Sequence, residues 1–206
     1  MRLYYSRGAC SLAAHIAARE GGLPVDLVQV DLGAHKYAEG LDYFRVNPRG
    51  YVPLLELDDG ERITETGVIV QYLAEQGKNP ALLPPAGTIE RIRVQEWLNF
   101  VSTELHKVFS PWLWHKETAA STQEKARSTL SKRFAELDKV LGRSNYLTGE
   151  VFTVADAYAF AILNWTNLLH MDISAYPNLK AYLVRVGSRP EVSAALKYEH
   201  LRVPGA

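Results

Sequence analysis

The chain has 206 residues, enough for one large domain or two small ones that bury about 70% of the unfolded surface without metal or disulfide staples. Hydrophobic residues make up 47% and charged ones 22%, which excludes a disordered or fibrous chain. Lys plus Arg and Asp plus Glu both total 23, so the chain carries no net basic field for nucleic acid or anionic lipid. Cys10 is the only cysteine, which rules out an intramolecular disulfide and any zinc site built from several cysteines. The N-terminus lacks an apolar signal region, and no apolar run is long enough to span a bilayer. The expectation is a soluble, cytoplasmic protein.

In chain order, Leu3-Tyr4-Tyr5 reads as a strand and Ser6-Arg7-Gly8-Ala9 as a turn. From Ser11 an apolar stripe through Leu12, Ile16 and Ala17 predicts a helix that stops at Gly21-Gly22. Val25 to Val30 alternates with period two, as a half-buried strand does. A loop with Gly33 and a weak helix ending at Asn47-Pro48 follow. Val52 to Leu57, the Asp58-Asp59-Gly60 turn and Glu61 to Ile63 predict a hairpin. A helix from Glu65 to Gly77 completes a β-α-β-α-β-β-α order, a small mixed sheet with helices packed on it. The Pro- and Gly-rich stretch that follows is a linker. It divides the chain into residues 1–78, a linker at 79–87, and a helical part at 88–206. That last part predicts helices at about 88–117, 122–142, 153–170, 176–187 and 189–198. Thr153-Val154-Ala155-Asp156 is a capping box at the start of the third.

Four features carry candidate chemistry. Cys10 stands one residue before a helix, where the dipole and free N–H groups favour a thiolate; the alternative is a small buried hydrophobe. Pro53 either opens an edge strand or is a cis-proline beside a Val52 backbone that pairs with a peptide-like ligand. Glu65-Thr66 begins a helix and either caps it or forms a carboxylate site with the nearby hydroxyl. Gln95, Asn99, Thr103, His106 and Ser110 share an arc of about 80° on an α-helix, a stripe of short polar groups around one imidazole. A solvated face is the plain alternative. Phe109, Trp112, Leu113 and Trp114 follow that stripe and are either core or the wall of an apolar pocket.

Taken in order, these pieces resemble the beta class of bacterial glutathione transferases over nearly the whole chain. The resemblance is carried by Leu3 to Leu12, Asn47-Pro48-Arg49-Gly50-Tyr51-Val52-Pro53-Leu54-Leu55, Leu57 to Gly60 with Thr64-Glu65, Trp97 to Phe100, Glu104 to Lys107, and Thr153 to Tyr158. It implies a thioredoxin-like (α/β) N-terminal domain, an all-helical (all-α) C-terminal domain and a homodimer. It further implies that Cys10 faces the glutathione sulfur and forms a mixed disulfide with it. Val52 would pair with the cysteinyl backbone beside a cis Pro53, and Glu65 and Thr66 would hold the γ-glutamyl end. His106 and Lys107 would lie near Cys10 and the glycyl carboxylate. Asn99, Thr103 and Glu104 would reach the neighbouring subunit's site. The family often carries Lys where this chain has His35, and Ser where it has Thr66.

The activity so implied is conjugation of the glutathione thiolate to small hydrophobic electrophiles, with glutathione as co-substrate and no tightly bound cofactor or metal. Cys10 and His106 are the expected catalytic pair, with the helix start and His106 lowering the thiol pKa. Tyr5 resembles the activating tyrosine of other classes, although Cys10 holds the critical place in this one. Ser11 stands with Tyr5 as a secondary glutathione contact, and Phe109, Leu113 and Trp165 are expected to hold the apolar co-substrate. Two other functions fit the same residues: glutathione-dependent thiol–disulfide exchange through Cys10, and non-catalytic binding on the same fold.

Overall fold

A computed structural model describes residues 1–202. β1 (Arg2–Tyr5) lies at the centre of a six-stranded sheet, parallel to β2 (Asp26–Asp31) and antiparallel to β5 (Leu54–Glu56). Two-residue strands extend both sides, β3 (Lys36–Tyr37) and β4 (Leu41–Asp42) beyond β2, and β6 (Arg62–Ile63) beyond β5, giving the order β4-β3-β2-β1-β5-β6. α1 (Leu12–Glu20) and α2 (Thr66–Gln76) pack together and against the helical part. This sheet with its helices is the expected thioredoxin-like arrangement.

The weak helix expected before Asn47 is replaced by β3, β4 and a single 3₁₀ turn at Tyr43–Arg45. The reason is local. The Asp31 carboxylate accepts from the N–H groups of Gly33 and Ala34, and His35 and Ala38 both take positive φ, so no run of helical residues can start. The linker is also more ordered than its composition implies: Pro80–Leu82 forms a 3₁₀ turn, and Leu82 and Leu83 are buried.

In the helical part α3 (Ile89–Phe100) passes into a π-helix at Val101–His106 and then a short α4 (Lys107–Phe109). The expected single helix to residue 117 therefore ends eight residues early. Pro111 supplies no N–H and clashes with a preceding helical residue, and Ser110 accordingly is extended at φ −116° and ψ 126°. α5 (Ala120–Leu141), α6 (Val154–Leu163), a short α7 (Trp165–Leu168), α8 (Pro177–Gly187) and α9 (Pro190–Tyr198) follow. Every residue of α6 is buried, and α1, α2, α3 and α8 pack around it. Each large side chain so removed from water contributes roughly 1.5–3 kcal/mol.

Polar ties lock the sheet unit to the helices. Trp165 Nε1 donates to the Gly8 carbonyl at 2.6 Å, and the Gly8 N–H donates to Glu199 at 3.0 Å. His15 Nδ1 lies 3.0 Å from the other Glu199 oxygen, and Arg189 holds Glu20 in a fork at 2.7 and 2.8 Å. The β1–α1 turn that carries Cys10 is thereby fixed on two sides.

Candidate functional site

Cys10 lies in the turn that leads into α1, as its sequence position implies, but the electrostatics differ from expectation. The side chain is 7% exposed, and its Sγ donates to the Val52 carbonyl at 3.3 Å. Burial pushes the thiol up to about 11, against the opposing pull of the Thr66 hydroxyl, the Cys10 amide and Lys107. Desolvation outweighs the helix start, so Cys10 here is a protonated donor and not a low-pKa thiolate. Ser11 is fully buried; its hydroxyl accepts from the Ser6 N–H at 3.1 Å and donates to the Ser6 carbonyl at 3.2 Å. The Ser11 side chain thus braces the turn that carries Cys10. Tyr5 is likewise part of another cluster, packed against His15 and Tyr198, with its phenol raised first by burial and then by Tyr198 and Glu199.

The segment facing Cys10 is held from several directions. Asn47, 4% exposed, donates to the Tyr51 carbonyl at 2.7 Å, the Tyr43 hydroxyl donates to the same oxygen at 2.9 Å, and Arg62 donates to the Val46 carbonyl at 2.8 Å. Gly50 sits at φ +69°, and a Cβ there would lie 2.8 Å from the Phe44 ring and 2.9 Å from His35 Nδ1, so only glycine closes this turn. The Val52–Pro53 peptide is cis, as the sharper of the two sequence readings had it. The Val52 N–H has no acceptor among the described residues. His35 stacks on Phe44 with centroids 4.5 Å apart, and Lys107 Nζ stands 6.0 Å over the exposed Tyr51 ring. Two cationic or titratable groups thus flank the Val52 backbone.

At the start of α2 the Glu65 backbone is in the left-handed region at φ +70°, and its side chain makes no cap. Its exposed carboxylate pairs with Arg49 at 3.3 Å. Such backbone strain in a non-glycine residue costs about 1–3 kcal/mol and concentrates at functional positions. The N–H groups of Thr66 and Gly67 have no acceptor among the described residues, so two donors at the helix start are left for an anion to meet. Thr66, 4% exposed, stands beside the Cys10 sulfur and the Tyr158 phenol.

The polar stripe of the sequence separates in three dimensions. The π-helix has i→i+5 bonding and more residues per turn than the α-helix assumed for the stripe. Gln95, Asn99 and Thr103 remain exposed, while His106 turns inward. His106 Nδ1 lies 2.7 Å from the Tyr158 hydroxyl, and the imidazole packs at right angles on Trp165 with centroids 5.2 Å apart. Burial, helped by the Lys107 charge, lowers its pKa to about 4, so His106 is neutral at physiological pH and does not act as a cation on the thiol. Thr103 donates to the Asn99 carbonyl at 3.0 Å, and Glu104 is taken up by Arg133 of its own chain at 2.8 Å.

The expected co-substrate wall is only partly available. Phe109 is fully buried between Phe134 and Trp165 and offers no surface to a ligand; Trp165 is 4% exposed and Leu113 8%. All three are first of all core. Exposed aromatic surface in this segment belongs to Trp112, 45% exposed, and Trp114, 41% exposed; the Trp114 ring meets Trp165 at right angles with centroids 5.5 Å apart. A chain of rings therefore runs from solvent at Trp114 through Trp165 to His106.

Family models for the glutathione S-transferase N-terminal and C-terminal domains match residues 8–76 and 100–190. The glutathione S-transferase GstA of Escherichia coli O157:H7 is 41% identical over 202 residues, covering 98% of this chain and 100% of the relative. The chain belongs to the glutathione S-transferase family. Two solved structures agree. The beta-class transferase of Sphingomonas chungbukensis superposes with a TM-score of 0.93 at 44% identity, covering 98% of this chain and 100% of that one. A sphingomonad glutathione S-transferase complexed with glutathione gives 0.92 at 41% identity, again over 98% and 100%.

For a member of the glutathione transferase family, the structure places Val52, Thr66, Glu65 and Lys107 near the Cys10 sulfur, and His106 beside Tyr158, which itself neighbours Thr66 and Cys10. Tyr5 and Phe109 pack into other clusters. Tyr158 is the functional candidate that sequence reasoning passed over. It stood inside the capping segment, and its position five residues after Thr153 gave no sign that it touches His106.

Proposed function

We propose that the opening between the α1 start, the Val52 turn and the π-helix is the glutathione site of a transferase. Glutathione is the co-substrate, no cofactor is tightly bound, and the reaction forms a carbon–sulfur bond between the glutathione thiolate and a small hydrophobic electrophile as the leaving group departs. The observation that carries this reading is the Val52 backbone: among the described residues its N–H has no acceptor and its carbonyl is held by the Cys10 thiol alone, opposite a helix start. The cysteinyl N–H of glutathione takes the Val52 carbonyl, which frees the Cys10 S–H to turn to the incoming sulfur. A protonated Cys10 stabilises the glutathione thiolate as a donor, together with the amides at the α1 start and a neutral N–H of His106. The γ-glutamyl carboxylate lies on the Thr66 and Gly67 amides, and its ammonium on Glu65. The glycyl carboxylate lies toward Lys107 and His35.

The apolar electrophile lies on the Trp114 face, with the edges of Leu113 and Trp165 beneath. Residues 1–78 bind glutathione, 79–87 link, and 88–206 supply the co-substrate side. The working form is a cytoplasmic homodimer in which Asn99 and Thr103 reach the partner's site. The exposed Phe44, Val68, Ile89 and Ile92 supply apolar surface for it to bury. The raised thiol of Cys10 argues for conjugation over thiol–disulfide exchange, which requires an attacking thiolate.

The test is the rate of glutathione conjugation to chlorodinitrobenzene for the wild type and Cys10→Ala, with glutathione affinity measured separately by calorimetry. Loss of one weak S–H donor is expected to lower kcat/KM about tenfold while affinity changes little. An unchanged rate would assign thiolate stabilisation to the helix amides and His106 alone. Light scattering at the concentrations used for kinetics decides the homodimer.

A further inference from the structure

Tyr158 lies in the middle of α6, 2% exposed, with no role in capping that helix. Its hydroxyl is 2.7 Å from His106 Nδ1, and the two rings stand at 85° with centroids 5.9 Å apart. Trp165 closes on the imidazole at 76°, so the ring is clamped between two aromatics. The hydroxyls of Ser102 and Thr66 flank the phenol, and Thr66 also borders the Cys10 sulfur. Cys10, Thr66, Tyr158 and His106 are therefore neighbours, with Tyr158 and His106 joined by a hydrogen bond.

The direction of the Tyr158–His106 bond follows from elementary donor and acceptor strengths. Burial raises the phenol far above its ordinary pKa, so it keeps its proton, and burial keeps His106 neutral with a single proton to place on one of two nitrogens. A phenol O–H is a stronger donor than an imidazole N–H, and the unprotonated imidazole nitrogen is a stronger acceptor than a phenol oxygen. The O–H···N arrangement wins, and whichever nitrogen accepts fixes the proton on the other.

We propose that Tyr158 is a positioning residue of the transferase reaction: its hydroxyl donates to His106 Nδ1 and fixes His106 as the Nε2–H tautomer, so that the site presents a neutral N–H donor to the glutathione sulfur. The last part rests on the reading above that places His106 beside that sulfur; the tautomer lock itself rests only on the contacts within this chain. The logic matches that of a metal-bound or catalytic histidine whose second nitrogen is held by an outer partner. Without the hydroxyl the ring would still be stacked, but its proton would be shared between the two nitrogens.

The experiment uses ¹⁵N-labelled full-length protein, free of glutathione, with two-bond ¹H–¹⁵N spectra of the histidine side chains at neutral pH. The His106 signals are assigned by their loss in His106→Gln. The wild type is expected to show the Nε2–H pattern alone, and Tyr158→Phe a mixture of tautomers. In conjugation assays Tyr158→Phe should lower kcat about five- to tenfold, with the KM for glutathione changed less than about twofold, because orientation of a donor is lost and binding is not. A wild-type His106 protonated on Nδ1 overturns the proposal without reference to any variant. So does an unchanged kcat in a Tyr158→Phe protein whose spectra show mixed tautomers. A protein that fails to bind glutathione at all would instead sink the site reading, and the spectra would still decide the Tyr158–His106 bond.

Discussion

Two buried polar clusters are carried by the same helix, two residues apart, and they are built to opposite ends. Asp156 is wholly enclosed and fully served: its carboxylate accepts from the Leu147 N–H at 2.9 Å, the Thr153 N–H at 2.9 Å and the Tyr182 hydroxyl at 3.1 Å. Tyr158 belongs to a cluster that is not closed. Among the described residues Cys10 has only a carbonyl for its S–H, the Val52 N–H has no acceptor, and His106 has a nitrogen to spare. A completed network converts polar groups into stability and shields them from ligands. An incomplete one at the surface of the core gives up stability and leaves donors and acceptors for a substrate to complete.

The contrast is broken most directly by removing its closed member. Asp156→Ala leaves two amides and the Thr153 hydroxyl buried without that acceptor, at roughly 1–3 kcal/mol each, while the Tyr182 hydroxyl keeps the Asp156 backbone carbonyl. The urea midpoint should fall by the equivalent of about 3–5 kcal/mol, while the folded fraction keeps its kcat. A proportionate fall in kcat would mean that the two clusters are not independent.

Next comes pH, where the clusters should have opposite slopes. Burial lowers the His106 pKa from 6.5 to about 4, so its favourable contribution is present above pH 6.5 and lost as pH falls through 4. Burial raises the Asp156 pKa from 3.8 to about 6, so its contribution is present below 3.8 and lost as pH rises through 6. Each is worth up to about 3 kcal/mol. Measured as wild type minus His106→Gln, stability should decline on acidification from pH 6.5 to 4. Measured as wild type minus Asp156→Asn, it should rise between pH 6 and 3.8. Parallel slopes in the two difference curves would refute the assignment.

A smaller loss is expected at the turn that aims Val52. Gly50→Ala meets both the Phe44 and His35 rings at φ +69°, at a cost of about 1–3 kcal/mol; calorimetry should show the loss of stability together with weaker glutathione binding. The smallest effect on stability is that of Cys10→Ala, about 1 kcal/mol for a small buried side chain. The informative measurement at Cys10 is chemical. Alkylation by iodoacetamide should be slow at neutral pH and keep rising toward pH 11, since only the thiolate reacts. A plateau reached near pH 7 would restore the low-pKa thiolate expected from the helix start.

Most of the outline was legible in the sequence. Period-two runs and the turn at Asp58 to Gly60 located β1, β2, β5 and β6, because local alternation and turn chemistry are properties of adjacent residues. The capping box placed the start of α6 for the same reason. Segments with weak local signals misled: residues 31–47 lacked both a strong period and a run of helical φ values, and the polar stripe assumed an α-helical angle that the π-helix breaks. Ser11, Tyr5 and Phe109 have the right chemistry for a site, but burial had already assigned their polar atoms or surfaces to other partners.

What the sequence alone determined is the set of groups available: one thiol, a proline after Val52, a helix start at Glu65-Thr66, and an imidazole four residues before Ser110. Tertiary structure decided their charge states and their partners. Whether Cys10 is a thiolate or a thiol depends on desolvation, and whether His106 is a cation or a neutral donor depends first on its burial, against Tyr158 and Trp165 that lie 52 residues or more away in the chain, and then on Lys107. Hydration and long-range contact are properties of the packed core, and no window of neighbouring residues contains them.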